Sequence, residues 1–341
     1  MKKTTGRRTS TEYLNRDEGL DNILRPRKLS DFIGNTEVIS QLKVYIEAAK
    51  QRGEPLDHIL FTGPPGLGKT TLAYIIAGEL DSRIKVSAGP AFTRPYDLFS
   101  LLTNIEERDV VFIDEIHRLP RQVEEYLYSA MEDFKLFIKL DKGPYGKHIE
   151  LKINRYTLVG ATTRYGLLSN PIRTRFGIHM RLNMYKPEEL AQIALRSASL
   201  LNLKMTEEAA LEVATRSRGT PRICNNLIRR VRDYAQVYNV SPVTLTFATE
   251  ILEKMGIDKL GLDETDKSII LTIINKFNGG PVGINNIANA INEEPDTIEE
   301  VYEPYLIQIG FIQRTPRGRI ATRNAYQYFS INCPAHISTL F

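Results

Sequence analysis

The chain has 341 residues, 42% hydrophobic and 25% charged, with 45 Lys and Arg against 41 Asp and Glu for a net charge of +4. That balance excludes a disordered or fibrous chain, and the length predicts two or three domains, each able to bury a core. No run approaches the ~20 apolar residues of a membrane helix, so no membrane partner is expected.

Residues 1–20 are basic and polar, without the apolar stretch of a signal peptide. Lys2, Lys3, Arg7 and Arg8 read either as a solvated tail or as contacts to a polyanion. An α/β unit is expected over 21–184. Its predicted strands are His58–Thr62, Arg83–Ser87, Asp109–Ile113 and Tyr156–Ala161, separated by helices at Thr70–Leu80, Asp97–Ile105 and Gln122–Met131. Near-continuous apolar strands alternating with helices indicate a parallel sheet covered on both faces. Lys135–Ile153 interrupts the alternation as a hairpin around Lys142-Gly-Pro-Tyr-Gly, with Leu151 and Ile153 expected on one apolar face.

An all-helical unit is expected over 185–257, with Pro187 in a first turn and Thr206 as an N-cap. A third unit follows at 258–341: helices at Glu264–Lys276, Ile284–Ala290 and Thr297–Ile307, then a Gly-containing hairpin at Gly310–Thr322. From Pro304 onward there is no Asp or Glu, while Arg314, Arg317, Arg319 and Arg323 are present. That local excess points to a polyanionic partner. The two cysteines, Cys224 and Cys333, form no metal or redox motif, which fits inert packing in a reduced, cytoplasmic compartment.

Gly63-Pro-Pro-Gly66-Leu-Gly68-Lys69-Thr70-Thr71 follows a predicted strand and opens a helix. Its glycines let backbone N–H groups curl around phosphate oxygens, and the helix N-terminus adds its dipole. Lys69 suits the β and γ oxygens, and the Thr70 hydroxyl suits Mg²⁺, so ATP and Mg²⁺ are the expected cofactors. The strand Val110-Val-Phe-Ile-Asp114-Glu115 ends in two carboxylates at the sheet's carboxyl edge, where ligands of open α/β sheets bind. Asp114 would hold Mg²⁺ through water, and Glu115 would polarise the attacking water. His117 is a candidate relay of nucleotide state. Either Thr162 or Thr163 is placed to sense the γ-phosphate. Arg173, Arg175 and Arg222 are candidates for the transition-state charge, although spacing alone reads them equally as surface ion pairs.

GPPGLGKTT, VVFIDEIHRL, GATTR and RTRFG together resemble the AAA+ ATPases. More narrowly, Leu24-Arg-Pro, Glu132-Asp-Phe, Arg218-Gly-Thr-Pro-Arg and Glu303-Pro-Tyr-Leu-Ile-Gln-Ile-Gly-Phe-Ile-Gln-Arg-Thr-Pro-Arg-Gly-Arg resemble the RuvB family of Holliday-junction branch-migration motors, over about residues 20–330. The resemblance implies an AAA+ parallel-sheet core, a small helical lid and a C-terminal winged helix. It implies an ATP hydrolase that pulls duplex DNA through a homohexameric ring, serving recombination, repair and the SOS response.

It also assigns roles. Leu24, Arg25 and Tyr185 line the adenine pocket. Gly66, Gly68, Lys69, Thr70 and Thr71 hold the phosphates. Glu132, Asp133 and Phe134 lie at the nucleotide site. Arg175 is the arginine finger of a neighbouring subunit's site, and Arg222 the lid's sensor. Arg314 and Arg319 contact DNA. The hairpin 135–153 docks a RuvA-like tetramer, although on its residues alone it reads equally as a packed arm. A RuvC-like resolvase is the further implied partner. The family usually has an arginine at the position of Pro295, so that contact is missing here. The alternatives are a clamp-loader-like switch ATPase and a DNA-binding regulator that uses ATP only to assemble.

Overall fold

In the computed structural model, residues 23–139 and 148–334 are described. The N-terminal tail and the turn at 142–146 expected above lie outside them. The chain divides into two compact units. The first runs to Gly63, then from Leu67 to Asn183, and includes Arg196–Asn202. The second comprises Pro64–Gly66, Met184–Leu195 and everything from Leu203 onward.

The first unit begins with helix α1 (Thr36–Arg52), whose buried Leu42, Ile46 and Ala49 follow helical spacing. Strand β1 (Ile59–Thr62) leads into α2 (Lys69–Glu79), β2 (Ile84–Ala88), α3 (Pro95–Leu102), β3 (Val110–Asp114) and α4 (Arg121–Glu132). The β4–β5 hairpin (Lys135–Lys139, His148–Lys152) precedes β6 (Thr157–Thr162), α5 (Asn170–Arg175) and β7 (Ile178–Arg181).

Five strands form one sheet in the order β2-β3-β6-β1-β7, every pair parallel. Central strands are largely apolar because both faces are covered. β3 buries four of its five residues and β6 buries all six. Register pairs Thr62 with Thr162 and Ala88 with Asp114, so Thr62, Asp114 and Thr162 lie together at the carboxyl edge. Leu60, Val111, Ile113, Leu158, Leu127 and Phe176 share one buried cluster on the sheet.

Sequence reading found four of the five strands. β7 (Ile-His-Met-Arg) is an edge strand in which only Met180 is buried, so it lacks the apolar run that marks the central strands. The hairpin also differs from expectation. Ile153 is buried and Leu151 packs on the core cluster, while Phe137 and Ile149 on the two strands stay 38% and 46% exposed. The core takes Leu151 and Ile153; Ile149 shares their face but lies beyond the packed part, and Phe137, opposite Glu150, lies on the other face.

α6 (Pro187–Leu200) begins in the second unit on Pro187, and α7 (Glu207–Thr215), α8 (Pro221–Tyr238) and α9 (Leu245–Lys254) lie within that unit. Thr206 caps α7, its hydroxyl accepting from the Ala209 N–H. Cys224 is fully buried and Cys333 partly so, both as free thiols. Burial pushes the Cys224 thiol up to about 12, only partly offset by Ser217.

Next come α10 (Glu264–Lys276), capped by Asp263 in a capping box, α11 (Ile284–Ile291), α12 (Pro295–Thr297), a π-helical turn (Ile298–Tyr302) and α13 (Glu303–Gln308). The wing is β8 (Ile312–Thr315) antiparallel to β9 (Gly318–Ala321), and α14 (Arg323–Tyr328) closes the unit. The stretch read as a single helix, Thr297–Ile307, is thus divided by the π turn. Among the described residues no helix is long and apolar enough to cross a membrane.

Candidate nucleotide site and DNA wing

The phosphate loop leaves the carboxyl end of β1, the strand around which the sheet order reverses. Gly63 opens it at φ 138°, and a Cβ there would lie 2.5 Å from the Leu182 carbonyl oxygen. Only glycine fits both the backbone angle and the close approach. Lys69 is the first residue of α2 and only 6% exposed. Its Nζ donates to the Gly63 carbonyl at 2.7 Å. Burial pushes the Lys69 amine below its ordinary value, and the charges of Asp114 and Glu115 pull it back up. The ammonium therefore lies where an anion repays its desolvation best. Thr71, beside Thr70 in the first turn of α2, is partly buried.

The Thr70 hydroxyl donates to Asp114 Oδ2 at 3.4 Å, joining the helix start to the end of β3. Glu115 leaves the strand in the left-handed region at φ 47°. Its Oε2 accepts from the Thr163 hydroxyl at 3.2 Å and lies 3.2 Å from His117 Nδ1. Nδ1 is also 2.8 Å from the Thr162 hydroxyl. The two threonines therefore act differently: buried Thr162 meets His117, and Thr163 meets Glu115. Burial, helped by Arg164 and Arg118 and opposed by Asp114, holds the His117 imidazole below its ordinary value. Lys69, Thr70, Asp114, Glu115, His117, Thr162 and Thr163 thus converge in one unit. Spacing could not reveal the Glu115–His117–Thr162–Thr163 link, because it joins two strands some 45 residues apart in sequence.

Other expected residues are placed elsewhere in the first unit. Leu24 is buried, and its carbonyl accepts from Arg196 Nη1 at 2.8 Å. The Arg25 guanidinium lies over the Tyr74 ring at 5.7 Å. Glu132 and Asp133 end α4 on the surface, while Phe134 turns inward at φ 52° against the Tyr156 ring, with centroids 6.0 Å apart. Arg175 donates to the Pro171 carbonyl at 2.9 Å and to Glu132 Oε2 at 3.0 Å. Its guanidinium lies 4.5 Å from the Tyr128 ring centroid. The contacts of Arg175 are thus with α4 and its own helix. Arg173 lies over the Tyr165 ring at 5.3 Å.

Within the second unit the loop residue Gly66 accepts from the Arg222 N–H at 3.4 Å, where α8 begins. The Tyr185 N–H donates to the Gly219 carbonyl at 2.9 Å. Arg222 itself is exposed. On the wing, Arg314 and Arg319 both pair with Glu303. The stretch that lacks acids in sequence is therefore met by acids in space.

A phosphate loop between a central strand and its helix, beside a strand ending in Asp114 and Glu115, defines a P-loop ATPase of the AAA+ class. The chain belongs to the RuvB family. Residues 24–182 match the Holliday junction DNA helicase RuvB P-loop domain, 185–258 the RuvB AAA lid domain, and 259–330 the RuvB C-terminal winged helix domain.

Two relatives carry the name Holliday junction branch migration complex subunit RuvB. That of Chlorobaculum parvum is 55% identical over 307 residues, 90% of each chain. That of Prosthecochloris aestuarii is 53% identical over 325 residues, 95% of each chain. The solved Thermotoga maritima RuvB Holliday junction branch migration motor is 49% identical with a TM-score of 0.84, covering 92% of this chain and all of that one.

Proposed function

We propose that the chain is an ATP-driven motor subunit that moves Holliday junctions by pulling duplex DNA, with domains at 21–184 (ATPase), 185–257 (lid) and 258–341 (winged helix). The observation that supports this reading best is the presence in one chain of a hydrolytic P-loop site and a winged helix bearing arginines. Membership of the RuvB family sets aside the clamp-loader-like switch.

In this reading Lys69 and the loop N–H groups bind the β and γ phosphates. Thr70 and Asp114 are hard oxygen donors that suit Mg²⁺ beside a nucleotide, one directly and one through water. Such an ion would neutralise charge developing on the phosphates. Glu115, held by Thr163, orients the attacking water and accepts its proton; His117 and Thr162 report nucleotide state to the strand edge. Leu24, Arg25 and Tyr185 hold the base, and Arg222 reaches the phosphates from the lid. Arg175 serves a neighbouring subunit's nucleotide, a role that fits a guanidinium whose contacts lie with Pro171, Glu132 and Tyr128.

The account implies a closed ring, with six subunits by family resemblance, working in the cytoplasm. Exposed Phe137 and Ile149 suit docking of a RuvA-like tetramer, and a RuvC-like resolvase would act on the same junction. Pro295 gives the DNA face one cation fewer than the family pattern.

ATP turnover measured with and without duplex DNA tests the coupling. Turnover should rise several-fold with duplex of any sequence. Turnover indifferent to DNA in the presence of the RuvA-like partner would count against a motor.

A further inference from the structure

Arg314 and Arg319 are direct cross-strand partners on β8 and β9, and like charges placed opposite each other destabilise a hairpin. The backbone offers them no freedom to move apart. Gly318 sits at φ 137°, where a Cβ would lie 2.4 Å from the Val282 carbonyl oxygen. The Arg319 N–H donates to that same carbonyl at 2.8 Å.

One carboxylate places both side chains. Glu303, the first residue of α13, is 1% exposed. Its oxygens accept from Arg314 Nε and Nη2 at 2.8 and 2.7 Å, and from Arg319 Nε and Nη2 at 3.0 and 3.2 Å. Burial alone would raise the Glu303 carboxyl, but the hydrogen bonds and charges of the two guanidiniums hold it below its ordinary value. Glu299, one turn earlier across the π turn, accepts from Arg319 Nη2 as well.

A guanidinium carries five N–H donors in a rigid plane. The Glu303 carboxylate takes them from Nε and Nη2 on each arginine, and neither Nη1 has a protein partner among the described residues. Arg314 remains 53% exposed and Arg319 15%.

We propose that Glu303 is a positioning residue for DNA binding: a buried carboxylate that holds Arg314 and Arg319 side by side as one two-pronged site for the phosphates of duplex DNA. This rests on the reading of the wing as a DNA contact. The arrangement involves a trade. A negative charge beside a polyanion weakens attraction, whereas two fixed guanidiniums lose less side-chain freedom on binding. The sign of the effect of removing that charge therefore decides between order and simple electrostatics.

The experiment is binding of the full chain to a fluorescent duplex of arbitrary sequence across a salt series. Glu303→Gln keeps the size of the side chain and removes its charge. The expected result is roughly tenfold weaker binding at low salt, with the dependence of log affinity on log salt flattened by about one to two, at roughly 0.9 per phosphate contact. Tighter binding, or an unchanged affinity and slope, would overturn the proposal. Arg314→Ala and Arg319→Ala run alongside, each expected to flatten the slope by about one contact. If neither arginine variant alters affinity or slope, the wing is not the DNA contact and the underlying reading fails. If both do and Glu303→Gln does not, only the positioning role fails. Should Glu303→Gln lose its cooperative melt, Glu299→Gln takes its place. Glu299 is more exposed, at 28%, and meets Arg319. A smaller flattening is expected, and tighter binding would again overturn the proposal.

Discussion

Replacing Lys69 with alanine removes a side chain that is 6% exposed and bonded to the Gly63 carbonyl at 2.7 Å. Two losses can be sized. Burial pushes the Lys69 amine down, and the charges of Asp114 and Glu115 offset part of that. Removing the ammonium leaves the half-buried Asp114 and Glu115 carboxylates less compensated, at a cost below the ~3–5 kcal/mol of breaking a fully buried pair. A preorganised charge aimed at phosphoryl oxygens in a site of low dielectric supplies about 3–4 kcal/mol of transition-state stabilisation, or roughly 10²–10³ in turnover. Uniform binding and transition-state binding separate in kinetics, because loss of the second lowers kcat as well as kcat/KM. The assay is steady-state phosphate release with calorimetric titration of ADP. We expect turnover at or below about a thousandth of the native rate, with ADP binding weakened by a smaller factor. A variant that keeps a tenth of native turnover would refute the placement of Lys69 against the reacting phosphate.

Arg175→Ala should remove turnover by roughly 10³-fold while leaving nucleotide binding intact, the size of effect known for arginine fingers. Mixing Arg175→Ala with Lys69→Ala chains should recover part of the activity, because some interfaces then join an intact loop to an intact finger; no recovery at any ratio would count against action in trans. His58 makes a pH prediction. Its Nδ1 accepts from the Leu158 N–H at 2.9 Å and its Nε2 lies 3.1 Å from the Met131 carbonyl, so the ring is neutral. Burial outweighs Met131 and Asp57 and holds its value below normal. The unfolded chain then takes up the proton first, so stability is full above about pH 6.5 and is lost as pH falls below that, by at most ~1.4 kcal/mol per pH unit. His58→Gln should remove that part of the slope in pH-dependent urea melts; identical slopes for the two chains would contradict the assignment.

Much of the site could be read from sequence because its parts are local. The loop at 63–71 and the carboxylates at 114–115 each depend on neighbours within one strand-to-helix turn, and the three central strands are largely apolar runs. What stayed hidden was long-range. β7 is an edge strand whose outward residues are polar. The hairpin's alternating pattern showed two faces, but only packing shows that the core takes Leu151 and Ile153. The basic C-terminal stretch seemed free of acids because Glu303 lies one residue before it and Glu299 four further back, and the fold brings both beneath the wing. Likewise, nothing in the spacing joins Thr163 to Glu115.

The measurement closest to the central claim is movement of a synthetic four-way junction by the purified chain with a RuvA-like partner, followed by the release of labelled duplex arms. The account predicts ATP-dependent release with the native chain and none with Lys69→Ala, whatever the sequence of the arms. Release that proceeds equally without ATP, or with the Lys69→Ala chain alone as motor, would contradict it.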